Sequence, residues 1–276
     1  MKFALSTNWC NRRLTSGEEI ADAAAELGFD GLELGFHTTD EQVGGFKARL
    51  DRMPVWSVHA FAPVPLSAPQ GYPELYQLAS LDEVARRIAR CQVLRNVAFA
   101  ADMGADTLVL HAGRVSADGL FRRQNLELRR KNGVKMLDVF KRELATLAPE
   151  LERRRVTLAL ENLPYLEGFP AEWELEAVCG EWVKGWFDTG HDFVRRTRGW
   201  TDGEPLPGEL FAGMHVHDSR GGDDHLAPGE GQIDFASLAA LAKSVRHVVF
   251  EPGAFVPAES LRRGLDFVRS LWENGN

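Results

Sequence analysis

The sequence predicts an α/β fold, a single (β/α)8 TIM barrel that spans residues 1–276. Three observations support this prediction. Short apolar segments alternate with helical segments eight times along the 276 residues. No linker or shift in composition divides the chain. Residues of the kinds that bind metals follow many of the apolar segments, and a barrel brings the carboxyl ends of all its strands to one mouth.

The elements follow from apolar periodicity and from the turn residues between them. Helical segments repeat apolar residues on one face, as Ile20, Ala24 and Leu27 do. The predicted helices cover residues 17–27, 40–52, 81–103, a long segment ending near 154, 171–179, 235–243 and 258–272. The predicted strands cover residues 3–6, 31–34, 55–59, 107–111, 156–161, 183–187, a segment that starts at 211, and 247–251.

An open, doubly wound parallel sheet would show the same alternation of strands and helices. The first turn between a strand and a helix lacks the Gly-x-Gly-x-x-Gly pattern that binds dinucleotides in such sheets. The polar residues follow many strands instead of clustering at one switch point. The sequence therefore favours the closed barrel.

Composition and charge narrow the possible functions. The net charge of −8 makes nucleic acid an unlikely partner. The chain has no apolar stretch long enough for a membrane span and no apolar signal segment at its start, so we expect a cytoplasmic protein. The three cysteines are far apart, which predicts core packing for each and no disulfide framework.

The histidine-rich stretch 212–235 carries the strongest chemical signal. His215 and His217 are two residues apart on a predicted strand, so both imidazoles should face the same side. Asp223 and His225 repeat that spacing after a Gly-Gly turn. The stretch therefore predicts ligands for a metal ion.

The ends of the other predicted strands extend this signal. A single histidine or glutamate at a strand end is usually a hydrogen-bonded part of the scaffold, but six such ends carry ligand-type residues. Imidazoles with carboxylates and no thiolates suit Zn, Mn, Fe or Co better than Ca or Mg. The six residues are His59, His111, Glu161, Asp188, His215 and Glu251, and His191 follows Asp188 on a predicted turn.

Taken in chain order, the motifs around these residues resemble those of the xylose-isomerase-like TIM barrels, which include sugar isomerases, sugar epimerases and the endonuclease IV type of DNA repair enzyme. The resemblance covers most of the chain. It rests on Ser57-Val-His59-Ala, Leu110-His111-Ala-Gly, Leu160-Glu161-Asn162, Phe187-Asp188-Thr-Gly-His191, Met214-His215-Val-His-Asp218, Asp223-Asp-His225, Gly229-Glu-Gly231 and Phe250-Glu251.

The resemblance to the epimerases implies one divalent ion, Zn or Mn, held by Glu161, Asp188, His215 and Glu251. The two glutamates would also act as acid and base next to a carbonyl that the ion polarises. The expected function is a metal-dependent isomerase or epimerase in carbohydrate metabolism. Its substrate would be a small sugar or sugar phosphate, and the barrel could form a homo-oligomer.

The resemblance to endonuclease IV implies a cluster of three zinc ions and a hydrolase that cuts an abasic-site phosphodiester or another small ester or amide. A barrel that only binds a metal and a ligand is the third possibility. In the three-zinc arrangement, His59, His111 and Glu161 would hold the first ion, Glu161, Asp188, His215 and Glu251 the second, and His191, Asp223 and His225 the third. Nine candidate ligands exceed the four to six or so that one ion needs, so we expect two or three ions.

Several neighbours of these ligands are candidates for binding the substrate. His217 is expected next to the ligands rather than on an ion, because His215 occupies the family's ligand position. Basic residues at 122, 123 and 129–131 are expected to form a solvated helix face. The substrate candidates are Arg114, Arg220, Glu33, Trp9 and His217.

Overall fold

The computed structural model describes residues 1–115, 126–201 and 206–274. The strands in this part of the chain are β1 (Ala4–Ser6), β2 (Gly31–Leu34), β3 (Val55–His59), β4 (Thr107–Leu110), β5 (Gly113–Arg114), β6 (Thr157–Glu161), β7 (Gly168–Phe169), β8 (Val183–Asp188), β9 (Phe211–Val216), β10 (Asp218–Arg220), β11 (Asp223–Leu226) and β12 (His247–Phe250). Eight of them are parallel and close into a barrel in the order β1-β12-β9-β8-β6-β4-β3-β2. Two short antiparallel pairs, β5 with β7 and β10 with β11, lie outside the barrel.

Helices follow the strands around the outside of the barrel, so the predicted (β/α)8 fold is confirmed. Single turns of 3-10 helix occur at Thr7–Trp9 and Gly208–Leu210. The described α-helices are α1 (Gly17–Leu27), α2 (Asp40–Lys47), α3 (Glu83–Asp102), α4 (Leu126–Arg154), α5 (Glu172–Glu176), α6 (Thr189–Thr197), α7 (Ala239–Ser244) and α8 (Ala258–Asn274). None of the helices within the described ranges is both long enough and apolar enough to cross a membrane.

The register of the barrel strands sets the level of the ligand-type side chains. Asp188 at the end of β8 pairs with His215 on β9, and Glu161 at the end of β6 pairs with Trp186 on β8. Below them, small and branched residues fill the barrel interior around the fully buried Trp186. The ligand-type residues therefore lie above a layer of packed side chains in the barrel interior.

Two expectations about surface and core are wrong. Cys91 is exposed on α3 instead of packed in the core. Arg129 is only 2% exposed, because its guanidinium donates to both oxygens of buried Glu174 at 2.6 Å. The predicted solvated face therefore contains a buried ion pair, while Lys131 is exposed as expected. Residues 122 and 123 of that basic segment lie outside the described residues.

Candidate metal centre

Most of the predicted ligands lie at the carboxyl end of the barrel, at the ends of its strands or directly after them. His59, Glu161 and Asp188 are the last residues of β3, β6 and β8. His111 and Glu251 directly follow β4 and β12. All five side chains are buried, so their polar atoms must find partners inside the protein.

A first group consists of Glu161, Asp188, His215 and Glu251, whose ligand atoms all lie within 4.8 Å of one another. Nδ1 of His215 is 3.3 Å from Glu251 Oε2, 3.5 Å from Glu161 Oε2 and 3.6 Å from Asp188 Oδ2. This buried nitrogen has no hydrogen-bond partner among the described residues. A divalent cation between the nitrogen and the three carboxylates would satisfy all four groups.

Glu33 orients His215 by a hydrogen bond to its Nε2. His215 Nε2 donates to Glu33 Oε1 at 3.0 Å, and Ser57 Oγ donates to Glu33 Oε2 at 2.8 Å. A proton on Nε2 leaves the lone pair on Nδ1, which faces the three carboxylates. Glu33 is fully buried, and its two oxygens contact His215 and Ser57. That Glu33 binds substrate stays a prediction.

A second group consists of His59, His111 and Glu161. His59 Nδ1 donates to the Ala60 carbonyl at 2.9 Å, which directs its Nε2 to Glu161 Oε2 at 3.1 Å. His111 Nε2 is 3.3 Å from the same oxygen. Glu161 therefore belongs to two groups, as a carboxylate that bridges two ions would.

A third group consists of His191, His217 and His225. Asp188 Oδ1 accepts from the His191 backbone N–H at 2.7 Å, caps α6 and so places His191 in the first helical turn. His191 Nδ1 donates to the Asn162 carbonyl, and His225 Nδ1 donates to the Glu251 carbonyl, both at 2.9 Å. These bonds leave the Nε2 lone pairs of both residues for an ion.

His217 and Asp223 differ from the other residues expected here. His217 Nε2 donates to Asp188 at 2.9 Å and its Nδ1 accepts from the His225 backbone N–H at 3.2 Å, so both nitrogens have partners. Asp223 is exposed on β11 opposite Arg220 and joins none of the groups. A regular strand would align Asp223 with His225, but His225 has a φ of 56°, which breaks the alternation.

The pKa shifts of the buried histidines and carboxyls show how their charges balance one another. Burial alone would lower the pKa of His111, but the carboxylates of Glu161 and Glu74 outweigh it and raise the pKa to about 9. Burial opposes ionisation of Glu161 and Asp188 too, yet nearby imidazoles hold the pKa of both carboxyls well below the usual range. Without metal, protonated imidazoles thus compensate the buried carboxylates, and a divalent cation can replace those protons.

The remaining substrate candidates belong to none of the three groups. Arg114 pairs with Glu74, which lies 3.6 Å from His111 Nδ1, so Glu74 links Arg114 to the second group. Arg220 is exposed and donates to the Glu230 carbonyl. Trp9 is 5% exposed and its indole N–H donates to the Val256 carbonyl at 2.8 Å. Trp9 thus packs in the core, and its contact with a substrate stays a prediction.

Sequence reasoning missed the residues that hold the ligands in place. Asn8 Nδ2 donates to Glu251 Oε1 at 3.1 Å, and Asp224 lies 3.3 Å from His217 Nδ1. Asn162 accepts from the Asp188 N–H at 2.7 Å and donates to its carbonyl at 3.1 Å. Asn162 directly follows Glu161, so its position in that motif was a usable signal.

Asp218 explains the glycine-rich turn after β11. Its carboxylate accepts four backbone N–H groups, those of Ser219, Gly229, Gly231 and Ile233, at 2.8–3.0 Å. A Cβ on Gly231 would lie 2.2 Å from Asp218 Oδ1, so the turn requires glycine there. This buried carboxylate fixes the loop behind the hairpin that carries His225.

A cavity of about 700 Å³ lies elsewhere, on the outer side of the barrel between α5, α6 and α7. Its walls include Leu175, Phe187, Phe211 and Leu238. The residues that form the three groups do not line this cavity, although Asn162 does. We therefore place the functional site at the barrel mouth.

Comparisons with known proteins agree with this fold. A family model described as a xylose isomerase-like TIM barrel matches residues 21–271. The search of curated proteins gives no significant match. Among solved structures, the chain resembles 3-keto-D-glucoside 4-epimerase, YcjR, from E. coli in its apo form, with 18% identity, 98% of this chain and 99% of that chain covered, and a TM-score of 0.68.

Two further structures have similar scores. A D-tagatose 3-epimerase-like protein is 20% identical, with 99% and 98% of the two chains covered and a TM-score of 0.69. The TTHB071 protein from Thermus thermophilus, soaked with ZnCl2, is 22% identical, with 100% of both chains covered and a TM-score of 0.66. At these identities the structural likeness shows the shared fold, whereas the family model extends from α1 to α8. The chain belongs to the xylose isomerase-like TIM barrel family.

Proposed function

We propose that the protein is a metal-dependent isomerase or epimerase of a sugar or sugar phosphate, with Zn or Mn as its ion. The convergence of Glu161, Asp188, His215 and Glu251 carries this proposal, because one imidazole and three carboxylates form a complete ligand set. The sugar epimerases among the structural neighbours support the same class of substrate.

A bound divalent ion would polarise the carbonyl and hydroxyl oxygens of the substrate and so make the neighbouring C–H more acidic. Glu251 and Glu161 are the carboxylates placed to take and return that proton. Protonation from the opposite face gives an epimer, and protonation of the adjacent carbon gives an isomer. His215, held by Glu33, keeps the ligand set in one arrangement.

The test is solvent deuterium exchange into a panel of ketoses and aldoses by protein loaded with Zn or Mn. We expect C–H exchange by the wild type and its loss in Glu161→Gln and in Glu251→Gln, with unchanged circular dichroism. Glu176→Gln, at an exposed position on α5, is the matched control and should exchange like the wild type. Absence of exchange with every sugar in the panel would contradict the proposal.

A multi-zinc hydrolase is the second candidate, and the position of Glu161 between two ligand groups favours it. Three neighbouring groups resemble the arrangement that clamps both the attacking and the leaving oxygen of an ester. Chelator-sensitive nicking of a duplex with an abasic site, or hydrolysis of a small ester, would place this candidate first. Tight capture of a sugar without conversion would instead indicate a binding protein.

A further inference from the structure

The two glutamates of the centre differ in what their oxygens contact. Glu251 Oε2 faces the first ligand group, 3.3 Å from His215 Nδ1. Glu251 Oε1 accepts a hydrogen bond from Asn8 Nδ2 at 3.1 Å. One oxygen of this carboxylate therefore faces the ion site, and a neutral amide holds the other.

The amide of Asn8 is fixed in this orientation. Asn8 Oδ1 accepts from the His37 backbone N–H at 3.3 Å, so Nδ2 must point to Glu251. Gly35 leaves the space for this amide, because a Cβ at position 35 would lie 2.1 Å from Asn8 Oδ1. The 3-10 turn Thr7–Trp9 and the segment after β2 thus hold one hydrogen-bond donor against Glu251.

Glu161 lies in a different environment. Its Oε2 lies 3.1 Å from His59 Nε2, 3.3 Å from His111 Nε2 and 3.5 Å from His215 Nδ1, so this oxygen lies between the first and second groups. Its Oε1 lies 3.2 Å from His191 Nδ1 and has no hydrogen-bond partner among the described residues, so no side-chain amide orients it as Asn8 orients Glu251 Oε1. A carboxylate oxygen bound to a cation is a poor base, so proton transfer needs an oxygen that the ion does not take.

We propose that Asn8 is a positioning residue that limits Glu251 to one metal-facing oxygen, Oε2, and reserves Oε1 for the substrate proton. The second half of this proposal rests on the proposed isomerase or epimerase function. In the reaction, the substrate C–H bond breaks, the proton moves to Glu251 Oε1, and the electron pair stays on the substrate next to its carbonyl. The new C–H bond then takes a proton from Glu161 on the opposite face, which gives the epimer, or a solvent-exchanged proton from Glu251 Oε1 at the adjacent carbon, which gives the isomer; exchange with solvent resets the carboxyl groups. A neutral amide suits this role because it orients the oxygen without adding a cation that would weaken its basicity.

The first test needs no substrate, because it uses Co²⁺ alone, added at one equivalent to the metal-free protein. Asn8→Leu keeps the approximate volume of the side chain and removes the donor. Released from Asn8, Oε1 can join Oε2 on the ion, so we expect the visible Co²⁺ absorption to shift and to lose intensity as the coordination number rises. Asn11→Ala is the matched control, since Asn11 contacts Thr7 and Thr38 and none of the ligands, and its spectrum should match the wild type.

A Co²⁺ spectrum of Asn8→Leu that superimposes on the wild-type spectrum would overturn the proposal. If Asn8→Leu does not fold, Gly35→Ala displaces the same amide and should give the same spectral change. The second test uses the sugar found by deuterium exchange: kcat should fall roughly 10- to 100-fold in Asn8→Leu with KM nearly unchanged. A spectral change in Asn8→Leu, together with no deuterium exchange by the wild type, would refute the proposed function but not the positioning of Glu251 by Asn8. Deuterium exchange with equal kcat in the wild type and in Asn8→Leu would refute the proposal that Glu251 Oε1 is reserved for the substrate proton.

Discussion

Asp106 shows how a partly exposed carboxylate away from the centre sets a pH dependence. It precedes β4 and accepts from His247 at 2.7 Å and from Arg246 at 3.0 Å, so it lies at the amino ends of the strands. Burial raises the pKa of Asp106, but the hydrogen bond and charge of His247 outweigh burial and lower the pKa to about 2.

We expect Asp106→Asn to lower the free energy of unfolding at pH 7 by at most about 1 kcal/mol, because a side chain that is 42% exposed is screened by water. A lowered folded-state pKa gives stability that is present above the unfolded value near 3.8 and is lost as the pH falls towards 2. Urea unfolding of both proteins at pH 7 and pH 3 measures this difference. An equal loss of unfolding free energy at the two pH values would contradict this expectation. Asp102→Asn, at an exposed position, is the control.

At the residue scale, the sequence predicted which ligand-type side chains come together better than it predicted the residues that contact them. Eight of the nine predicted ligands occur in the three groups, because residues at the ends of parallel strands must meet at one mouth. Asn8 reaches the centre from a single 3-10 turn and Glu74 from a loop, and no periodicity in the sequence predicts the path of either segment. Asp223 was misplaced for a related reason, since the left-handed φ of His225 depends on its tertiary contacts.

At the scale of elements, α4 is fixed to the loop and helix that follow β6. Arg129 on α4 donates to both oxygens of Glu174 on α5 and to the Gly168 carbonyl, each at 2.6 Å. Gly133 allows this approach, because a Cβ there would lie 2.0 Å from Glu174 Oε1. A glycine inside a helix, which normally weakens it, is therefore required by the ion pair.

Glu174→Ala should destabilise the protein by about 3–5 kcal/mol, because it leaves the buried guanidinium of Arg129 without a counter-charge. Urea unfolding at pH 7 measures the loss. Glu176→Ala, at an exposed position of the same helix, should change the stability by less than about 0.5 kcal/mol. A loss below about 1 kcal/mol in Glu174→Ala would show that water or another group satisfies Arg129.

Most strands and long helices could be predicted, whereas α6 could not. Residues 189–197 carry few apolar side chains, so periodicity indicated only a turn. The helix forms because Asp188 caps it and because Arg195 donates to the Tyr165 carbonyl and to Glu172. These partners are distant in sequence, and the helix is therefore a product of tertiary contacts.

At the scale of the whole molecule, the barrel mouth concentrates charge that the fold must neutralise. Three carboxylates and six imidazoles form the three ligand groups. A cation that binds the folded but not the unfolded chain stabilises the fold by about 4 kcal/mol at a thousandfold excess over its dissociation constant. We therefore expect removal of Zn by a chelator to lower Tm by roughly 10 °C, measured by calorimetry. An unchanged Tm would show that the protonated imidazoles alone balance the carboxylates.

The number of ions distinguishes the two enzymatic candidates, because a single-ion epimerase fills one group whereas a multi-zinc hydrolase fills two or three. The first and second groups share Glu161, and the third has no member in common with either. We expect two or three ions per chain by elemental analysis of Zn-loaded protein. His59→Ala should remove the ion of the second group, and His225→Ala that of the third, each lowering the count by about one while the group around His215 stays filled. A count near one in the wild type and in both variants would refute the cluster and favour a single-ion epimerase. A count of three, falling to two in each variant, would strengthen the hydrolase, since a bridging Glu161 can hold two ions at the distance that ester hydrolysis requires.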